Sequence, residues 1–141
     1  MRNVAFERTN SNPDRLPERR GRHRFEHLVS RALARLPGEI SRLMENVDVL
    51  VADQPSSDQL TAGGVLPSDT LLGLYEGVPL TERGSGYGMV LPDRITLFRR
   101  PIEERCRSER ELVREIRRTI IHEVAHHFGI GDERLDELGW S

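Results

Sequence analysis

Two histidines and a glutamate, His122, Glu123 and His126, stand in the pattern H-E-x-x-H toward the C-terminal end of the chain. Residues four apart on a helix lie about one turn apart on the same face, so the two imidazoles can meet at one metal ion. Glu123 projects roughly 100° further round, beside such an ion rather than onto it, where a base that activates water belongs. The pattern extends to H-E-x-x-H-x-x-G-x-x-D. Gly129 lets the helix stop in a left-handed turn, and the returning chain brings Asp132 within reach as a third ligand. Asp132 comes straight after the turn and is the expected ligand; Glu133 and Asp136 are the alternatives. Two imidazoles and a carboxylate on one Zn2+ leave a fourth position open, the arrangement of a catalytic rather than a structural zinc. The chemistry expected is hydrolysis: zinc acidifies a water and polarises a carbonyl, and Glu123 carries the proton to the leaving amine.

The elements that must position these residues are read from periodicity. Between Pro101 and Phe128 the pattern is mostly helical, with a kink expected near Arg107-Ser108, where Ser108 is a candidate N-cap with Glu111 three residues on. Leu112, Val113, Ile116, Ile120 and Val124 form one apolar stripe at about 100° per residue. The two motif histidines lie off that stripe, so the helix has a packing face and a separate polar one. His127 falls on the apolar side and is expected to pack, or to support the site from behind the ligands, rather than to ligate. A further helix of one or two turns is expected over Asp132–Leu138.

Upstream, Phe25, Leu28, Val29, Ala32, Leu33 and Leu36 recur at three- and four-residue steps, an amphipathic helix from His23 to Leu36. Pro37-Gly38 breaks it, and a shorter helix is expected over Glu39–Glu45 with Ile40, Leu43 and Met44 facing in. His23 and His27 are also four apart, but no acid lies between them in the place a base would take, and arginines are their neighbours; they are expected at the surface. The β-branched run Val47–Asp53 is a strand. Residues 54–69 read as loop, and Thr70–Glu76 as a second strand interrupted by Gly73. Residues 77–93 read as irregular, with Gly84, Gly86 and Gly88 around Tyr87, a candidate oxyanion donor that nothing in the sequence singles out. Arg94–Arg99 alternates as a third strand, and Met89–Leu91 is a candidate fourth.

Composition bounds the rest. A chain of 141 residues makes one domain, expected over residues 23–141 behind a mobile, mildly basic tail at 1–22. All 21 basic residues of the lysine-plus-arginine count are arginine. With no lysine, a Schiff-base or lysine-nucleophile enzyme is excluded. A net charge of −2 gives nucleic-acid binding little support. The one cysteine, Cys106, excludes an internal disulfide and any cysteine-based zinc cluster. No apolar run is long enough for a signal peptide or a membrane span, so the expected location is the cytoplasm, with no membrane partner.

The chain resembles the small bacterial zincin-like metallopeptidases, the minimal zincins, across about residues 23–139. The resemblance rests on Leu36-Pro37, the Val47–Asp53 strand, GLYEGVPL at 73–80, LPDRITLFR at 91–99 and above all HEVAHHFGIGDERLDELG at 122–139. It implies an α+β fold, a small mixed sheet packed on helices with the motif helix beneath it. Carried over by position, it also implies His122, His126 and Asp132 as ligands and Glu123 as base. The motif is similar to that of the metzincins as well, but Met1, Met44 and Met89 all precede it, so no Met-turn follows. The substrate expected is a peptide or protein. The alternative is a metal-binding regulatory or interaction domain of the same fold, with little or no turnover.

Overall fold

The structure is a computed structural model that describes residues 16–64, 70–77 and 91–140, with the side chains of 16–20 left aside. The order along the chain is α1 (Leu16–Ala34), α2 (Gly38–Leu43), β1 (Val47–Ala52), α3 (Ser57–Ala62), β2 (Gly73–Glu76), β3 (Asp93–Phe98), α4 (Arg99–Glu104), α5 (Glu109–His127) and α6 (Asp132–Leu138). The three described strands form one mixed sheet in the order β1-β3-β2. β3 runs parallel to β1, with Val49 opposite Ile95, and antiparallel to β2, with Tyr75 opposite Ile95. The α+β class and the motif helix under a small mixed sheet are as expected.

Hydrophobic periodicity explains which faces meet. β1 buries Val47, Val49 and Val51 in alternation, and β3 adds Ile95 and Leu97. Onto this sheet face α1 lays Phe25, Leu28, Val29, Ala32 and Leu33, and α5 lays Val113, Ile116, Ile120, Ile121 and Val124. Each of these larger apolar side chains contributes about 1.5–3 kcal/mol by leaving water. A second, smaller cluster of Ala52, Leu74 and Phe98 lies apart from this core. The helix that carries the motif is therefore anchored along its whole length.

Four local features differ from the sequence reading. α1 begins at Leu16 rather than His23, so the stretch 16–22 is helix and not tail. Arg22 is part of the fold: it is buried, and its Nη2 donates to the Val51 carbonyl at 2.8 Å. Segment 54–69 is not all loop, because Ser56 and Gln59 make a reciprocal capping box that starts α3. The expected kink before the motif helix is a full break between α4 and α5. Ser108 caps α5 by accepting from Glu111 N at 3.1 Å, and the Glu111 carboxylate accepts from Arg107 N at 2.7 Å. Residues 1–15, Tyr87 with the glycines about it, and residues 89–90 lie outside the described residues; Leu91 stands outside any strand. No described helix is long and apolar enough to cross a membrane.

Buried arginine ties the sheet to the helices at its far end. Arg99, 5% exposed, donates from Nε to Asp53 Oδ1 at 3.0 Å and from Nη1 to Glu103. Arg100 N donates to the Asp53 carbonyl at 3.1 Å. The ends of β1 and β3 are thus stitched together where α4 starts.

Candidate metal centre

α5 ends one residue after His126, and the way it ends decides where Asp132 goes. Phe128 closes the helix and Gly129 takes φ +80°. Gly129 N donates to His126 O at 3.1 Å and Ile130 N to Ala125 O at 2.8 Å, the paired bonds of a Schellman turn. Ile130 packs back on the core. Gly131 then caps α6, whose first residue is Asp132. The same device ends α6: Gly139 at φ +73° donates to Asp136 O, Trp140 N reaches Leu135 O at 2.9 Å, and Trp140 packs on the core.

This turn delivers the Asp132 carboxylate to the histidines. Asp132 Oδ1 lies 3.0 Å from His126 Nε2 and 3.5 Å from His122 Nδ1. One donor atom from each of His122, His126 and Asp132 falls within 4.8 Å of the others. A tetrahedral zinc with bonds of about 2.1 Å separates neighbouring donors by roughly 3.4 Å, so the set fits one ion. The donor chemistry fits as well: two imidazoles and a carboxylate suit zinc. His122 Nε2 is buried without a hydrogen-bond partner among the described residues, so this imidazole carries a nitrogen that they do not satisfy. Of the alternatives to Asp132, neither Glu133 nor Asp136 joins the group. His23 and His27 are exposed on α1, as expected.

Electrostatics separate the roles. Burial lowers the pKa of His122, an effect that Arg118 and His126 reinforce and Asp132 opposes; the shift favours the neutral ring, the form a metal needs. The pKa of Asp132 is lowered, first by its hydrogen bond with His126. Glu123 behaves the other way. Burial raises its pKa, against a backbone hydrogen bond from Tyr75 and the charge of His126. That bond runs from Tyr75 N to Glu123 Oε1 at 3.3 Å. Glu123 therefore faces β2 and stands outside the three-donor group.

His127 is not buried on the apolar side. It is 37% exposed and stacks on the Tyr75 ring, with centroids 3.9 Å apart and planes at 22°. The Tyr75 hydroxyl donates to Asp93 Oδ2 at 2.7 Å, and His127 Nε2 stands 4.0 Å from the same oxygen. Tyr75 and Asp93 escaped the sequence reading. The one signal was Gly73, since a glycine inside a strand marks a bulge or a close backbone approach. Added to Gly73, a Cβ would lie 2.8 Å from Thr119 Cγ2.

A short mixed sheet lying on a helix that carries H-E-x-x-H, with an acid returned by the next turn, defines a zincin-type fold and site. The chain belongs to the zincin-like metallopeptidase family, which it matches over residues 44–140. None of the curated proteins matches it. Among solved structures it is similar to a conserved hypothetical protein from Thermo thermophilus, at 24% identity and a TM-score of 0.47, over 83% of this chain and 95% of that one.

Proposed function

We propose that the chain is a zinc-dependent peptidase that holds one zinc ion through His122, His126 and Asp132 and uses Glu123 as general base. The observation that carries this reading is the convergence of three donor atoms within 4.8 Å beside a carboxylate excluded from the group. When bound, zinc supplies Lewis acidity to a water and to the scissile carbonyl. The protein's own part begins with Glu123, whose raised pKa makes it both a proton acceptor and a ready donor to the leaving amine. The Tyr75 N–H fixes one of its oxygens, leaving the other for the proton. The substrate proposed is a short or loosely held peptide segment, because the ligands lie near the surface: Asp132 is 69% and His126 48% exposed.

The same exposure favours a second reading, a zinc-binding domain that recruits a partner protein with little turnover. One experiment separates the two. Purified protein is assayed for metal and then given a synthetic peptide library with and without chelator. The peptidase reading expects one zinc per chain, chelator-sensitive cleavage, and a Glu123→Gln variant that keeps its zinc and cuts nothing. Hydrolysis persisting in Glu123→Gln removes the base; stoichiometric zinc with no cleavage of any library peptide leaves the second reading.

A further inference from the structure

Strand β2 and helix α5 meet in step. Gly73 lies against Thr119, Tyr75 N donates to Glu123, and a Cβ on Gly77 would lie 3.3 Å from His127 Cε1. The contacts advance by two residues on the strand and four on the helix. Two strand residues rise about 6.6 Å and four helix residues about 6.0 Å, so the registers agree over the whole contact. The Tyr75 amide reaches the helix from the edge of β2 that is turned away from β3. Phe98 N donates to Leu72 O, so in the same register Leu74 and Glu76 exchange ladder bonds with β3, while Gly73 and Tyr75 point their amides outward.

Tyr75 is held at three points along this seam. Its hydroxyl is on Asp93, its ring on His127, and its amide on Glu123. A glutamate has three side-chain torsions, and a carboxylate without a fixed donor spreads over several rotamers. An N–H delivered by a strand that is itself paired to β3 removes that freedom. The approach depends on the missing side chain at Gly73, because 2.8 Å to Thr119 Cγ2 leaves no room for a methyl group.

We propose that β2 is the positioning element for Glu123: Gly73 sets its distance from α5 by resting on Thr119, and the backbone N–H of Tyr75 orients the carboxylate for proton transfer. This rests on the reading of Glu123 as the base. Gly73 and Tyr75 act through Glu123 and need touch no substrate. Moving the strand off the helix by the roughly 0.6 Å that a methyl group demands lowers kcat, since sub-ångström misplacement of a catalytic group is costly. It leaves KM and zinc affinity alone, because neither residue belongs to the three-donor group.

The test uses the full chain. Amide hydrogen exchange at Tyr75 is followed by NMR, and zinc-loaded protein is assayed on whichever library peptide the wild type cuts fastest. In the metal-free wild type the outward-pointing Tyr75 amide is protected, and Glu123→Ala lowers that protection about tenfold. Gly73→Ala lowers it similarly and lowers kcat about tenfold, with KM and zinc Kd within threefold. Thr119→Ser removes Cγ2 and keeps the hydroxyl that donates to Glu115 O at 2.8 Å. In the double variant Gly73→Ala/Thr119→Ser, protection and kcat both return to within about threefold of wild type. Protection at Tyr75 that survives Glu123→Ala overturns the proposal, and so does a Gly73→Ala enzyme with undiminished kcat. The underlying reading fails separately: if Glu123→Gln still hydrolyses the peptide, the base is elsewhere whatever the Tyr75 amide does.

Discussion

Gly129→Ala isolates what the turn between the second histidine and Asp132 contributes. At φ +80° a non-glycine residue incurs about 1–2 kcal/mol of backbone strain. Among the described residues nothing lies within 4 Å of the added Cβ, so that strain is the effect to follow. It has two outlets. If the turn unwinds, Asp132 is lost from the group and zinc Kd weakens by up to roughly 30-fold for 2 kcal/mol. If the turn holds, the fold carries the strain and Tm falls. Unwinding gives up the bonds Gly129 N to His126 O and Ile130 N to Ala125 O, each contributing about 1 kcal/mol. It also pulls Ile130 off the core. The loss exceeds the strain, so the turn holds. Expected are a Tm lowered by about 3–6 °C and a zinc Kd, from competition with a chromogenic chelator, within threefold of wild type. Gly129→Asn should lose about half as much, because asparagine tolerates this conformation. An unchanged Tm with a Kd weakened more than tenfold refutes the reasoning.

Other perturbations test neighbouring parts of the account. Arg118 acts on both His122 and Asp132, so Arg118→Gln should tighten zinc binding by about two- to fivefold in dilute buffer, the gain shrinking in 1 M salt; equal gains at both salt concentrations count against it. Burial raises the Glu123 pKa, so between the unfolded and folded values the folded state binds more protons and stability falls as pH rises. Metal-free Glu123→Gln should therefore melt above wild type at pH 7 and converge with it below about pH 4; a Tm gap that widens in acid contradicts the sign. Ile120, fully buried on the packing face of α5, should lose about 2–5 kcal/mol on Ile120→Ala, seen as a Tm drop of roughly 6–15 °C.

The site was legible in the sequence because it is contiguous. The spacing of the candidate donors, the glycine at the turn and the acid behind it are local facts, and helix geometry converts them directly into a constellation. The motif helix was legible too, since its stripe of Val113, Ile116, Ile120 and Val124 is periodic and all four are buried. What stayed hidden has no periodic signature. Helix α3 has no buried residue, so only the Ser56–Gln59 cap betrays it. Arg22 and Arg99 are buried by partners distant in the chain, and charge alone gives no sign of that. His127 looked apolar by its angle on the helix, yet its surroundings are Tyr75 and Asp93. The bond from Tyr75 to Glu123 joins residues 48 apart, beyond what spacing can show.

That difference in sequence span orders assembly. His126 and Asp132 are 6 residues apart, whereas Tyr75 meets Glu123 across 48. Closing the longer loop costs about 1.8 kcal/mol more chain entropy, and it requires β2 to have found β3. If the proposed metal site is correct, the helix-turn-helix holds its three donors together at a lower chain-entropy cost than the contact that aligns Glu123. Under the proposed function, a chain still without its sheet would hold metal with its base unaligned, so hydrolytic power would arrive last in folding and depart first on unfolding.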